Sequence, residues 1–196
     1  NGGAGKDTIT GGMGNDTLRG SWETVNSADS LVGGAGDDRY EIGANDIVVE
    51  ALNGCWDTVY SDVNYTLTTN VEQLTLNSAA RNGTGNAAWN SINGNATANI
   101  LNGVAGNDNL FGNGGSDTLI GGVGSDAMSG GTGYDVFNFN SYAELGIGVT
   151  KDTISDFTVD KDKVDLSGID TNATLTGDQA FTFIASSTAF TTAGQV

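Results

Sequence analysis

Residues 103–138 read GVAGNDNLF, GNGGSDTLI, GGVGSDAMS and GGTGYDVFN, four units of nine residues with no gap between them. The register extends back through GNAAWNSIN (85–93) and GNATANILN (94–102). Every unit opens on glycine. The sixth column holds Asn90, Asn99, Asp108, Asp117, Asp126 and Asp135, and the eighth holds Ile92, Leu101, Leu110, Leu119, Met128 and Phe137. A second tract lies near the start, with GGAGKDTIT from Gly2, GGMGNDTLR from Gly11 and GGAGDDRYE from Gly33. A copy enlarged by four residues, around Ser21–Thr24, precedes the last of these and regains the register at Asp29-Ser30-Leu31. The sixth column here is Asp7, Asp16, Asp29 and Asp38, and the eighth is Ile9, Leu18, Leu31 and Tyr40.

The pattern GGxGxDxUx, with U a large apolar residue, resembles the RTX (haemolysin-type) calcium-binding repeat. The spacing has a chemical reason. Glycine admits backbone conformations of positive φ that strain other residues, so a loop of about six residues can aim several carbonyl oxygens inward. Calcium takes six to eight oxygen ligands at about 2.3–2.6 Å. Carbonyls leave its charge uncompensated, and the sixth position supplies a carboxylate. The last three residues form a short strand whose central side chain faces one side, so the eighth column builds the core.

These features predict an all-β fold, a parallel β-roll (β-solenoid) with two nonapeptides per coil, strands about 4.8 Å apart and calcium between coils. Loop n then stacks on loop n+2. This pairs Asp108 with Asp126, Asp117 with Asp135, Asp7 with Asp29, and Asp16 with Asp38. The resemblance implies the carbonyl ligands: positions two and four of the lower loop, one and three of the upper. Carried over, Val104, Gly106, Gly121 and Val123 join Asp108 and Asp126. Likewise Asn113, Gly115, Gly130 and Thr132 join Asp117 and Asp135, and Gly12, Gly14, Gly33 and Ala35 join Asp16 and Asp38. Gly3 and Gly5 serve Asp7, and Gly122 and Gly124 serve Asp126 on its other side.

Three further aspartates repeat the D-x-U core after irregular loops: Asp46-Ile47-Val48, Asp57-Thr58-Val59 and Asp152-Thr153-Ile154. The same rule sets Asp46 against Asp29, Asp57 against Asp38 and Asp152 against Asp126; the alternative for each is an exposed turn aspartate. Asn90 and Asn99 carry no charge, so their coils read as roll held by amide hydrogen bonds without strong calcium sites. Glu50 and Glu72 read as solvated or turn-bonded carboxylates, and so do Asp156, Asp160, Asp162 and Asp165, for which metal binding is the alternative.

The chain divides into a first RTX tract (1–60), irregular β coils (61–84), a second RTX tract (85–140) and a C-terminal β cap (141–196). Alternating apolar residues at Val63, Tyr65, Leu67, Leu74 and Leu76 predict strands in the second segment. The stretch GTGYDVFNFNSYAELGIGVTKDTISDFTVDKDKVDLSGID resembles the C-terminal module of serralysin-type proteases. Strands and turns are expected over 152–169, with Phe181, Phe183, Ile184 and Phe190 burying against the open end. The chain reads as a truncated piece of a larger protein with an upstream domain.

Composition limits the function. The 196 residues include no histidine, which removes imidazole-based catalysis and His-ligated metal sites. Seven Lys and Arg against 24 Asp and Glu give a net charge of −17, which disfavours nucleic acid and anionic lipid as partners. A single cysteine, Cys55, excludes an internal disulfide, and no apolar run is long enough for a transmembrane segment. The repeat assigns the paired carboxylates to ions, so the segment is read as non-catalytic. The resemblance implies a module that binds several calcium ions and folds after type I secretion from a Gram-negative bacterium, in an extracellular or cell-surface setting. A polysaccharide-recognition module and an adhesin or filament segment are the alternatives. Trp22, Trp56 and Trp89 are read as packing aromatics in preference to a sugar-stacking surface.

Overall fold

The computed structural model describes residues 1–20, 28–52, 55–77, 80–145 and 151–169. Seventeen short strands and no helix occupy these residues. All strand pairs are parallel.

One face of the roll is an eight-stranded sheet. It comprises β2 (Thr17–Arg19), β4 (Arg39–Ile42), β6 (Thr58–Ser61), β8 (Gln73–Leu76), β10 (Ser91–Asn93), β12 (Asn109–Phe111), β14 (Ala127–Ser129) and β16 (Thr153–Ile154), in that spatial order. A six-stranded sheet holds β7 (Tyr65–Thr66), β9 (Asn82–Thr84), β11 (Ile100–Asn102), β13 (Thr118–Ile120), β15 (Val136–Asn138) and β17 (Lys163–Asp165). A three-stranded sheet holds β1 (Thr8–Met13), β3 (Ser30–Ala35) and β5 (Ile47–Val49). Alternate strands therefore go to alternate sheets, as a coil of two nonapeptides requires. The eight-stranded sheet runs without interruption through β6 and β8.

The register reports coil length. In the second tract Ser91 aligns with Asn109 and Ile100 with Thr118, a step of two nine-residue units. In the first, Thr8 aligns with Ser30 and Thr17 with Arg39, four residues more. The insertion around Ser21–Thr24 itself lies outside the described residues, and so does Trp22. A wider step from Ala127 to Thr153 and from Val136 to Lys163 carries both sheets into the last coil.

The core is a stack of eighth-column side chains. Leu31, Tyr40, Ile92, Leu101, Leu110, Leu119, Met128 and Phe137 are fully buried, and Leu18 nearly so. Val48, Val59 and Leu74 continue the stack through the irregular coils. A typical strand buries only its central residue, as in β13 and β10. Burying one such side chain contributes about 1.5–3 kcal/mol, so the narrow core depends on the number of coils stacked. Leu67, Leu74 and Leu76 of the expected alternation are buried, whereas Val63 lies in the bend between β6 and β7. Phe139 and Ile169 bury at the C-terminal end, and Phe157 packs on Phe137 with ring centroids 6.2 Å apart. Phe181, Phe183, Ile184 and Phe190 lie outside the described residues. Trp56 and Trp89, which precede β6 and β10, pack on each other past the coil of β8, centroids 4.9 Å apart.

Candidate metal centres

The loops owe their shape to positions two and four, which lie in the left-handed region. Gly106 and Gly115, at position four, have φ of 120° and 106°. Position two tolerates a side chain at a cost: Val104 adopts φ 79° and Asn113 φ 71°. Alternating handedness turns the carbonyls of these positions along the roll axis. A β-carbon placed on Gly122 would strike Val104 O, and one on Gly124 would strike Gly106 O. Asn113 O and Gly115 O meet Gly131 and Gly133 in the same way, and Gly12 O and Gly14 O meet Gly34 and Gly36. These are the carbonyls expected from the lower loops. The expected partners of Gly3, Gly5, Gly122 and Gly124 lie outside the described residues.

Position one needs glycine for a different reason. A β-carbon on Gly11 would lie 2.6 Å from Asp16 Oδ2 and 2.8 Å from Gly33 O. At Gly103 the same two groups are Asp108 Oδ2 and Gly121 O, and at Gly112 they are Asp117 Oδ2 and Gly130 O. A carboxylate oxygen of one loop and a carbonyl oxygen of the next thus converge on each glycine. The position-three carbonyls also face the lower loop: Val123 O accepts from Gly106 N at 3.0 Å, Thr132 O from Gly115 N at 3.0 Å and Ala35 O from Gly14 N at 2.6 Å.

The aspartates stack in rows along the sheet edges. The N–H of each lower aspartate donates to Oδ1 of the one above: Asp108 to Asp126 at 2.7 Å, Asp117 to Asp135 at 2.8 Å, Asp7 to Asp29 at 2.9 Å and Asp16 to Asp38 at 2.8 Å. Asp29 to Asp46, Asp38 to Asp57 and Asp126 to Asp152 repeat the contact at 3.0, 2.8 and 2.8 Å. In nine of these aspartates the second oxygen has no such partner. Oδ2 of Asp7, Asp16, Asp38, Asp57, Asp108, Asp117, Asp126, Asp135 and Asp152 is buried without a hydrogen bond. Asp46 is different, because its Oδ2 accepts from Gly43 N at 2.9 Å. Asp29, Asp38, Asp46, Asp57, Asp108, Asp117, Asp126 and Asp135 are all buried.

Burial makes the ionised carboxylates costly. Asp57, Asp108 and Asp152 are pushed up to about 7 and Asp117 to about 6, chiefly by desolvation and then by neighbouring acids, against the lowering effect of the backbone N–H. Asp38, Asp126 and Asp135 move the same way for the same first cause. Arg19 and Arg39 pair with Glu41, and Lys163 pairs with Asp165, all away from the rows. Buried anionic oxygens without partners, beside converging carbonyls, form a donor set of hard oxygens that suits calcium. The residues present therefore fit the ion that the repeat implies.

The asparagine coils satisfy themselves. Asn90 Oδ1 accepts from Asn86 N and Asn99 Oδ1 from Asn95 N, each at 2.7 Å. Asn86 Nδ2 bridges Thr68 O and Val71 O at 2.8 and 2.9 Å, and Asn95 Nδ2 bridges Asn77 O and Ala80 O at 2.7 Å each. An amide NH2 thus gathers the carbonyls of the preceding coil.

The structure also brings in acids that the spacing did not single out. Glu72 Oε2 accepts from Asp57 N at 2.9 Å, extending the row of Asp16, Asp38 and Asp57. Asp162 Oδ1 accepts from Asp135 N at 3.1 Å, but its Oδ2 is bound by Thr158 N at 2.7 Å. Asp156 caps the loop at Gly130 and Gly131 through their N–H groups. The missed signal is the same triplet, Glu72-Gln73-Leu74 and Asp162-Lys163-Val164, after loops that are not nonapeptides.

Comparison with known proteins gives one family. The profile of the RTX calcium-binding nonapeptide repeat matches in four copies, over residues 1–22, 25–46, 84–119 and 102–137. A search of curated proteins found no match. With about half the chain covered by that profile, and with parallel coils whose loops carry its aspartates, this protein belongs to the RTX calcium-binding repeat family.

Proposed function

We propose that this chain is a structural module of a secreted protein, in which calcium held between stacked loops supplies the cohesion of the roll. The observation that carries the reading is the set of buried Oδ2 atoms without partners. Each stacked pair, Asp108 with Asp126, Asp117 with Asp135, Asp16 with Asp38 and Asp7 with Asp29, would hold one ion together with the loop carbonyls already named. Asp126 with Asp152 repeats the arrangement at the C-terminal end. Calcium supplies there the positive charge that the acid rows lack. Every other element comes from the chain: the alternating φ aims the carbonyls, and the eighth-column residues fix the coil spacing.

Binding free energy is then folding free energy. In a calcium-poor cytosol the acid rows repel and the chain stays open; outside the cell it closes. This links the module to export by a type I route from a Gram-negative bacterium and to a role as a non-catalytic part of a larger polypeptide. The serralysin-like C-terminal stretch belongs to the same reading, supported by β16 and β17, which add one strand to each main sheet. Arg19 and Arg39 are both held by Glu41, which weighs against a polyanion-binding role for these two cations in the polysaccharide alternative. Equilibrium dialysis against calcium tests the proposal: uptake of several ions per chain supports it, and no uptake at millimolar calcium overturns it.

A further inference from the structure

We propose a calcium site of different composition from the nonapeptide pairs, made by Asp38, Asp57 and Glu50. It deepens the reading above and rests on it. Carboxylate oxygens of these three residues lie within 4.8 Å of one another. Asp38 is 2% exposed and Asp57 0%, and the Oδ2 of each is buried without a hydrogen bond. The space they share is visible at Gly33, where a β-carbon would strike Asp38 Oδ2, Glu50 Oε1 and the Tyr40 hydroxyl together.

The place of Glu50 in the chain explains its role. It directly follows β5, where the repeat calls for position one of the next loop. In regular coils that residue is glycine and its main-chain carbonyl enters the site, as Gly33 O does above Gly11. The loop from Glu50 to Asp57, EALNGCWD, does not carry the GGxG sequence. Glu50 instead sends a side-chain carboxylate to the same spot. Two contacts hold it there: the fully buried Tyr40 hydroxyl donates to Oε1, and Ala51 N donates to Oε2 at 3.1 Å. Glu72 positions Asp57 by accepting its N–H.

Three carboxylates on one ion give more charge than the two of a nonapeptide pair. Calcium affinity rises with ligand charge, so this site fills first as calcium is added. The end of the first tract therefore carries a strong anchor, although two of its three ligands, Glu50 and Asp57, fall outside the residues matched by the repeat profile.

The test is calorimetric calcium titration of the full chain and of Glu50→Gln, with Asp108→Asn as a comparison. Glu50→Gln should bind one ion fewer and lose the tightest binding step, whereas Asp108→Asn should lose a later step and keep the tightest. The same ion count and affinities in Glu50→Gln overturn the proposal. A terbium-loaded crystal of the unaltered chain needs no variant. An anomalous peak among Asp38, Asp57 and Glu50 is expected, and peaks at the nonapeptide pairs with none here refute the site. If the unaltered chain takes up no calcium at all, the broader reading of the roll fails, a result distinct from the loss of this site alone.

Discussion

Replacing Asp108 by asparagine should favour folding strongly without calcium and far less with it. Asp108 is fully buried, its Oδ1 accepts from Asn90 N at 2.7 Å, and its Oδ2 has no partner. Without metal, burial raises its carboxyl from 3.8 to about 7. At pH 8 that shift corresponds to a cost on the order of 4 kcal/mol for the folded chain. An amide of the same shape removes the charge, keeps an oxygen for Asn90 N, and turns its NH2 toward Gly121 O, which converges on the same space at Gly103. Asn90 and Asn99 occupy this column already. With metal, the variant loses a charged ligand. Extracellular calcium modules have Kd values of about 10⁻⁴–10⁻³ M, so about 10 mM calcium contributes up to about 2.7 kcal/mol per site. The assay is a refolding titration with trimethylamine N-oxide followed by circular dichroism, in EDTA at pH 8, and a urea melt in about 10 mM calcium. The variant should need less osmolyte than the unaltered chain in EDTA, and in calcium its advantage should shrink to about 1 kcal/mol, the difference between the charge removed and the ion lost. Equal destabilisation in both media would refute the reasoning, because Asp108 would then be an ordinary hydrogen-bonding residue.

The metal-free chain should respond to pH through the same groups. Folded-state values near 7 for Asp57 and Asp108 lie above the ordinary 3.8, so folding takes up protons between those limits. Their contribution is most favourable below about pH 4 and is lost as pH rises through about 7; ellipticity in EDTA should therefore increase from pH 8 to pH 5, and a flat profile would count against it. Val104→Gly should stabilise the roll by up to about 1 kcal/mol, because Val104 holds φ 79° and is 43% exposed, so strain is relieved with little loss of burial; a urea melt in calcium measures it. Asn86→Ala should destabilise by about 1–3 kcal/mol equally with and without calcium, since its amide bridges Thr68 O and Val71 O where charge plays no part. A calcium-dependent effect there would show that the asparagine coil also holds metal.

The roll was legible in the sequence because its period is short and its two columns have opposite chemistry. The sixth residue of each unit turned into the edge rows, and the eighth into a core of single side chains such as Leu110 and Leu119. The n+2 stacking appears directly as the Asp108–Asp126 and Asp117–Asp135 contacts. What the spacing left out entered by irregular loops. Glu72 joins a row through a coil in which Thr58 aligns with Gln73, shorter than two nonapeptides. Glu50 reaches its neighbours with a side chain from a position that the pattern reserves for a glycine carbonyl. Asp46 followed the pattern, yet Gly43 N binds its second oxygen, a local turn that no spacing reveals. The asparagines at position two, Asn86 and Asn95, repeat visibly, but that each amide gathers two carbonyls became apparent only from the coil below.

Circular dichroism of the unaltered chain at pH 8, through a cycle of EDTA and calcium, addresses the central claim most directly. The account predicts loss of the β spectrum on chelation, its return with calcium, and poor replacement by magnesium, which demands tighter octahedral coordination. A β spectrum that persists unchanged after exhaustive chelation would contradict it.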